Sequence, residues 1–522
     1  MAVPTRSNPV VNAPAGAVEG RGEGGLNVFR GIPYALPPER WKPPVAMPRW
    51  EGVRQAAEFG PACVQPHSKP GSIYEISADA PQPMSEDCLT LNVWAPADAR
   101  DAPVFLWIHG GSLIIGASRE PFYDGARLAS RGMVVVSVNY RLGVFGWFAH
   151  PELSAESPHG ISGNYGLLDL IGALHWVKNN IVAFGGDASN VTVAGESAGA
   201  LGVLYLLAAP AARDLFSKAI LQSAYMIATP ALKQCEHGMA SAEETGTGLA
   251  AALQAPDIAA LRAMEAHSLA DAASAAGFVP FGAIDGQVLP RQLVEVFDRD
   301  EQAPVPLLAG FNSGEISTLT FLAPPPPADA AEYESIIRDR YRDLADAFLR
   351  FYPGTNLQES IYAALRDAMY GWTAERLVRK QTALGRPSFL YFWDHGYAAA
   401  DSTGRHAFHG SEIPYVFGTI DRTTSRWPKI SETRQERGLS EAMIGYWSSF
   451  ARTGLPVAAG KPDWPAYGAN RAYMAFEDAP QPSEHLLPGV YEFSEEVVCR
   501  RKASGAQPWN WNVGIAAPKL PA

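Results

Sequence analysis

Cysteine is scarce in this sequence. The chain of 522 residues contains four cysteines, Cys63, Cys88, Cys235 and Cys499. Four are too few for a scaffold held by disulfides, and their spacing fits no zinc-binding pattern. The sequence therefore excludes the small disulfide-rich class and predicts no cysteine-based metal site.

Long apolar runs and an excess of basic residues are also missing. No run of about 18 apolar residues occurs, so we expect no membrane-spanning helix. The formal net charge of -12 argues against nucleic acid or an anionic membrane surface as a partner. Residues 1–25 lack a basic region followed by an apolar core. This favours a cytoplasmic location, whereas a periplasmic or secreted one would require that a leader had been removed.

The sequence does contain enough apolar material for a large core. Hydrophobic residues make up 47% of the chain and charged residues 18%, as in globular proteins. We find no linker, composition shift or internal repeat that would divide the chain. We therefore predict a single domain over residues 1–522, within the size range of large α/β enzymes.

Several apolar runs predict a buried parallel sheet. Residues 104–108 and 133–138 are continuously apolar, as expected for strands covered on both faces. Helical spacing over residues 167–184 separates such runs, which indicates βαβ units. The predicted fold is α/β, with a large, doubly wound, mostly parallel central sheet. Further candidate strands lie at residues 89–94, 190–194, 218–222, 306–309 and 388–393, and a candidate amphipathic helix lies at 441–453.

Two longer segments differ from this alternation. Residues from about 228 to 300 and from about 324 to 385 are Ala-rich, charged and helical in pattern. We predict that they form cap-like helical excursions over the carboxyl edge of the sheet.

The pentapeptide Gly-Glu-Ser-Ala-Gly at residues 195–199 is the most informative motif. A strand-like run precedes it and an Ala/Leu-rich helical segment follows it. This is the arrangement of a nucleophile elbow, in which glycines permit a sharp turn that presents the serine oxygen. We therefore predict Ser197 as a nucleophile. The first helical amides, beginning with Ala198, would favour negative charge beside it.

A serine nucleophile needs a base, and an acid that orients the base. His409 is the strongest candidate base, because HAFHGSEIPYVFG reads as a loop and catalytic groups are commonly mounted on loops. For the acid, Glu315 in FNSGE and Asp285 in AIDGQ both fit the order Ser, acid, His. The residues alone leave both open. His406 has no Cys or carboxylate at metal-ligand spacing, so we expect no metal here.

A glycine-rich turn follows the candidate strand at residues 104–108. Gly110 and Gly111 in WIHGGS allow the backbone to turn its amides inward without an intervening side chain. Such amides can form an oxyanion hole, in which one donor is worth ~3 kcal/mol in the transition state.

These motifs together resemble the type B carboxylesterase family, which includes cholinesterases, liver carboxylesterases, fungal lipases and bacterial para-nitrobenzyl esterases. The resemblance is carried by FRGIPYA, SEDCLTLNVW, NYRLGVFGW, GNYGLLD, NNIVAFGGDASNVTVAGESAGA, FNSGE and FHGSEIPYVFG, over residues from about 15 to 475. It implies the α/β-hydrolase fold and a serine hydrolase that cleaves carboxylic esters in two steps through an acyl-enzyme. It implies neither cofactor nor metal.

The resemblance also assigns the triad, residue by residue. Ser197 matches the nucleophile and His409 the base. Glu315 matches the acid, so the choice over Asp285 comes from the resemblance and not from spacing.

The oxyanion hole implied by the resemblance consists of the Gly111, Ser112 and Ala198 amides. Ser112 departs from the family's usual Gly-Gly-Gly or Gly-Gly-Ala pattern. A serine retains its amide, so we expect the hole to survive. Glu196 and Ser223 match family positions that support the histidine and the acid.

Four further residues match structural positions of the family. Cys63 and Cys88 match its first disulfide, which we therefore predict. Arg141 and Asp169 match an ion pair with a structural role.

The resemblance leaves the substrate open within small-molecule esters. The segment between Cys63 and Cys88 lacks the tryptophan with which cholinesterases bind quaternary ammonium groups, which argues against choline esters. The alternatives are a lipase, a carbamate or amide hydrolase with the same triad, and a non-catalytic binding protein of this fold. We expect a monomer or a weak homo-oligomer. Candidate walls of the substrate pocket are Phe278, Phe281, Phe321 and Leu322.

Overall fold

An eleven-stranded mixed sheet forms the centre of the fold. The structure is a computed structural model, and it describes residues 8–37, 39–67, 72–74, 83–509 and 513–521. The strands are β1 (Val10–Ala13), β2 (Gly16–Glu19), β3 (Arg21–Glu23), β4 (Leu26–Pro33), β5 (Val53–Gln55), β6 (Ala62–Cys63), β7 (Met84–Ser85), β8 (Thr90–Pro96), β9 (Ala102–Ile108), β10 (Val134–Val138), β11 (Gly186–Glu196), β12 (Lys218–Gln222), β13 (Leu307–Asn312), β14 (Ser388–Trp393), β15 (Ala472–Phe476) and β16 (Pro480–Glu484).

The strand order across the sheet is β16-β15-β14-β13-β12-β11-β9-β10-β8-β4-β3. Every pairing from β15 to β10 along this order is parallel, and the pairings at both margins are antiparallel. The carboxyl ends of the parallel strands therefore lie at one edge, where α/β proteins place their sites.

The helices cover both faces of the sheet and the edge regions. They are α1 (Ala126–Ala129), α2 (Gly143–Trp147), α3 (Pro151–Glu156), α4 (Tyr165–Asn180), α5 (Ala198–Ala208), α6 (Ala242–Ala252), α7 (Ile258–Ala263), α8 (Ala266–Ala275), α9 (Leu293–Asp298), α10 (Ala330–Tyr341), α11 (Ala345–Phe351), α12 (Leu357–Arg366), α13 (Trp372–Ala383), α14 (Ala398–Asp401), α15 (Ile413–Phe417), α16 (Arg434–Thr453) and α17 (Val490–Ser504). No helix in the described part of the chain has the length and apolar character needed to cross a bilayer.

Strand β9 shows why the sheet is buried on both faces. Successive side chains of a strand point to opposite faces. Leu106 and Ile108 join the apolar cluster that contains α4 and α5, whereas Phe105 and Trp107 join the cluster that contains α16. A continuously apolar strand is thus what this layered arrangement requires.

The two segments with the Ala-rich pattern are helical. Residues 228–300 contain α6 to α9, and residues 324–385 contain α10 to α13. Helix α13 contacts β13 and β14. A π-helical turn, Asp367–Gly371, joins α12 to α13.

Candidate active site

Ser197 lies at the turn between β11 and α5. Its φ of 56° and ψ of -123° put it in a backbone region that a non-glycine residue occupies only under strain. The flanking glycines make the turn possible: a Cβ on Gly195 would lie 2.5 Å from the Gly199 carbonyl, and one on Gly199 would lie 2.1 Å from the Ile108 oxygen. The chain therefore forms the predicted elbow, with Ser197 beside the end of the parallel sheet.

Glu315 is fully buried just beyond the end of β13. One carboxylate oxygen accepts hydrogen bonds from the Ser223 hydroxyl at 2.7 Å and from the backbone amide of Asn312 at 2.8 Å. The other oxygen pairs with Nδ1 of His409. Ser223 therefore supports Glu315 directly, and Glu315 fixes the orientation of the imidazole.

His409 follows β14 on a loop and has a second acidic neighbour. Its Nε2 lies 3.2 Å from Oε1 of Glu196, and both side chains are 6% exposed. Among the described residues, Glu196 Oε1 has no hydrogen-bond partner, so its contact with Nε2 is an ion pair rather than a hydrogen bond. The Glu315 carboxylate and the imidazole are thus joined, and Ser197 and His409 line the same cavity. Catalytic hydrogen bonds often tighten only when substrate is bound.

The two carboxylates control the charge of His409. Burial disfavours an imidazolium, but Glu196 and Glu315 outweigh this and raise the pKa of His409 above its usual range. Burial also raises the pKa of Glu196, while the imidazolium acts in the opposite direction. Glu196 and His409 therefore titrate as a pair rather than as independent groups.

A further buried carboxylate, Glu412, was not among the predicted site residues. It accepts hydrogen bonds from Gln222 Nε2 at 2.8 Å and from Asn312 Nδ2 at 2.7 Å. Burial raises its pKa. The only signal in the sequence is that Glu412 stands three residues after His409. Its partners, Gln222 and Asn312, lie far away in the sequence, and only the folded chain brings them to Glu412.

The loop after β9 carries the predicted oxyanion amides. Gly111 has a φ of 107° and Ser112 a φ of 57°. Within the described residues neither amide donates to a protein acceptor. The Ala198 amide is the first of helix α5 and has no intrahelical acceptor. The Ser112 side chain is exposed.

A cavity of about 600 Å³ joins these groups. Gly111, Ser112, Glu196, Ser197 and His409 all line it, and the rest of its wall is mainly apolar. The wall includes Tyr74, Phe122, Tyr225, Phe281, Phe321, Leu322, Met369, Tyr370 and Trp427.

Three of the four predicted wall residues reach the cavity. Phe278 does not, because it packs in a separate cluster with its ring 6.2 Å from that of Phe148. The segment between Cys63 and Cys88 contributes to the wall through residues 72–74, while its residues 68–71 and 75–82 lie outside the described part of the chain.

The predicted disulfide is wrong for this structure, in which Cys63 and Cys88 are free. Both are buried, and a hydrogen bond between them, together with burial, raises the pKa of the Cys88 thiol. Cys63 Sγ also accepts from the Leu142 amide at 3.3 Å. The Cys88 thiol thus keeps its proton and lies beside Cys63 within the core. Cys235 and Cys499 are free as well.

Asp285 and His406 have structural contacts of their own. Asp285 Oδ1 accepts the amides of residues 287, 288 and 289, and its Oδ2 accepts from Asn164 at 3.0 Å, so Asp285 closes a turn. His406 lies between Asp394 and Asp401, at 3.1 and 2.8 Å.

The predicted ion pair is present. Arg141 and Asp169 form a two-pronged pair whose contacts measure 2.8 Å, with both side chains almost fully buried. It fastens the loop after β10 to α4, away from the cavity-lining residues.

The fold and the site together define a serine hydrolase of the α/β-hydrolase fold. The sequence model of the carboxylesterase family matches residues 7–494, and the chain therefore belongs to this family. Members of this family are carboxylic ester hydrolases, and this chain is one of them.

Individual relatives agree with this assignment. A fumonisin B1 esterase of Sphingopyxis macrogoltabida is 36% identical over 483 residues, which cover 88% of this chain and 85% of that protein. A para-nitrobenzyl esterase of Bacillus subtilis (strain 168) is 33% identical over 473 residues, covering 88% and 93%. A solved PNB esterase structure matches with a TM-score of 0.80 and 31% identity, covering 93% of this chain and 99% of that one.

Proposed function

We propose that Ser197, His409 and Glu315 perform the ester hydrolysis. The neutral form of His409 takes the Ser197 proton at Nε2 during attack on the ester carbonyl, and the imidazolium so formed then protonates the departing alcohol. Glu315 keeps the imidazole oriented and stabilises its charged form. Water activated by the same imidazole then releases the acid from the acyl-serine.

The oxyanion of each tetrahedral intermediate would be held by backbone amides. Gly111 and Ser112 line the same cavity as the nucleophile, and Ala198 follows Ser197 directly at the start of α5, so that the three residues would supply three N–H groups. The observation that carries the proposal is this convergence. Four separate segments, after β9, β11, β13 and β14, bring donors, nucleophile, acid and base to one edge of the sheet.

The cavity supports neutral, apolar esters as the substrate class. No lysine or arginine is among the described residues that line it, and its carboxyl groups belong to Glu120 and Glu196. An anionic acyl group would therefore meet like charge and no lysine or arginine. A neutral aromatic alcohol, of the kind named in the para-nitrobenzyl esterase relative, matches the aromatic wall formed by Tyr74, Phe122 and Trp427.

A matched pair of substrates tests this proposal. We expect kcat/KM for para-nitrophenyl butyrate to exceed that for the para-nitrophenyl monoester of succinate at least tenfold, because the acyl chains have equal length and only one is charged. Equal rates would contradict the proposed substrate class. Ser197→Ala should lower both rates by ~10⁴-fold or more, and unchanged turnover would contradict the assignment of Ser197.

A further inference from the structure

Tyr74 makes two hydrogen bonds above the catalytic histidine. Its hydroxyl donates to the His409 carbonyl oxygen at 2.8 Å and lies 2.7 Å from Thr318 Oγ1. A phenol carries one proton. With that proton given to His409, the Thr318 hydroxyl donates to the Tyr74 oxygen.

These two contacts join the segments that carry the acid and the base. Thr318 lies three residues after Glu315, on the same short turn region beyond β13. The segments also pair through the Gly314 amide and the Ala407 carbonyl at 3.0 Å. Among the described residues, only Tyr74 donates to the His409 carbonyl itself. Asn312 Nδ2 donates to the neighbouring Phe408 carbonyl at 2.9 Å, and the phenol thus adds a contact on the backbone of His409 itself.

Packing holds the Tyr74 ring in place. It meets the His409 ring edge-on, with centroids 6.4 Å apart, and the Trp427 ring edge-on at 6.5 Å. Burial raises the pKa of the phenol well above its usual range, so the hydroxyl keeps its proton. The same ring forms part of the cavity wall.

We propose that Tyr74 is a positioning residue for His409. By bonding the His409 carbonyl and Thr318 at once, it fixes the base's loop against the segment of the acid, so that the imidazole keeps its bond to Glu315. The inference rests on the proposed role of His409 as the base. It gives the segment between Cys63 and Cys88 a part in catalysis besides forming the wall.

Tyr74→Phe isolates the hydroxyl, because it retains the ring and the wall. We expect kcat for para-nitrophenyl acetate to fall roughly tenfold, the effect of one hydrogen bond of ordinary strength, with KM changed less than about twofold. Thr318→Val should give a smaller fall. In the double variant the losses should not add, because both single variants disrupt one network.

Tyr446→Phe is the matched control. It removes a tyrosine hydroxyl that donates to the Pro462 carbonyl at 2.6 Å, at a place that does not line the cavity. We expect it to leave kcat unchanged, even where its melting temperature falls as much as that of Tyr74→Phe.

Three results would overturn the inference: kcat of Tyr74→Phe within twofold of the parent, a loss confined to KM, or a loss equal to that of Tyr446→Phe. Should Tyr74→Phe fail to fold, an unchanged kcat in Thr318→Val would overturn it as well.

His409→Ala separates this inference from the proposed function. If His409→Ala is active, His409 is not the base and the inference fails with the proposed function. If His409→Ala is inactive but Tyr74→Phe has normal turnover, only the inference fails.

Discussion

His409 lies between two buried carboxylates, Glu315 at Nδ1 and Glu196 at Nε2. Both favour the charged imidazole, whereas a general base has to be neutral before it can take a proton. The resting site thus stabilises the form of histidine that does not react. His409 can therefore act as a base only when the pH is high enough for the imidazolium to lose its proton.

Glu196→Gln tests this at the level of one residue. Glutamine preserves size but removes a charge that raises the pKa of His409, so that pKa should fall. The base then becomes neutral at lower pH, and the acidic limb of the kcat/KM profile should move to lower pH by roughly one unit.

Glu375→Gln is the control, because Glu375 is equally buried but bonds to Tyr467 outside the cavity lining. Its profile should match that of the parent. An acidic limb of Glu196→Gln that stays in place or moves to higher pH would show that Glu196 does not set the charge of the base.

Phe321 is a second residue whose effect can be isolated. It lines the cavity but is 75% exposed, which makes it an apolar rim for substrate parts that extend outward. We compare kcat/KM for para-nitrophenyl octanoate with kcat/KM for para-nitrophenyl acetate. Phe321→Ser should lower the ratio of the two by roughly tenfold, because the long acyl chain loses the apolar contact that the aromatic ring provides.

Leu455→Ser provides the comparison, since Leu455 is also an exposed apolar residue, at 50%, but lies outside the cavity lining. The ratio should not change in this variant. A parallel change in both variants, or none in Phe321→Ser, would mean that the rim does not bind the acyl chain.

At the scale of elements, the elbow depends on close approach of backbone segments. A Cβ at Gly199 would lie 2.1 Å from the carbonyl oxygen of Ile108 in β9. Gly199→Ala should therefore shift α5 against β9 and destabilise the protein by roughly 1–3 kcal/mol or more. Thermal unfolding of the variant should show a melting temperature several degrees lower, together with reduced activity.

Gly248→Ala is the matched substitution. Gly248 lies inside α6, and no atom would come within 4 Å of the added Cβ. Alanine there should be neutral or stabilise the helix by roughly 1 kcal/mol. Equal melting temperatures for the two alanine variants would refute the close-approach explanation.

The strands were predictable where burial on both faces makes the sequence continuously apolar. Residues 104–108, 133–138 and 218–222 correspond to β9, β10 and β12 within two residues. Polar ends were missed: β11 begins at Gly186 instead of 190, and α16 begins at Arg434 instead of 441. The start of β11 is set by strand pairing, and the start of α16 is set by the Thr433 cap. The apolar pattern of the sequence contains neither feature.

At the scale of the whole molecule, the site arises from segments far apart in the chain. The elbow motif identified Ser197, because a local turn needs local glycines. Glu315 was separated from Asp285 only by family resemblance. The contacts of Glu412 and the hydroxyl of Tyr74 depend on tertiary pairing that leaves no periodic signal in the sequence.

The cysteines provide a test of the folded chain as a whole. With Cys63 and Cys88 free in the core, thiol titration of the denatured protein without reductant should find all four thiols. In the native state the buried pair should react slowly, because burial and a protonated thiol both hinder attack. A count of two thiols in denaturant would reveal the disulfide that the structure lacks.

The central claim is that Ser197 is the nucleophile served by His409. Treatment with a diethyl organophosphate, followed by peptide mass spectrometry, identifies the modified residue directly. We predict a single label on Ser197, formed in the parent enzyme and lost or greatly slowed in His409→Ala. A label on another residue, or equally fast labelling of Ser197 without the imidazole, would contradict the account.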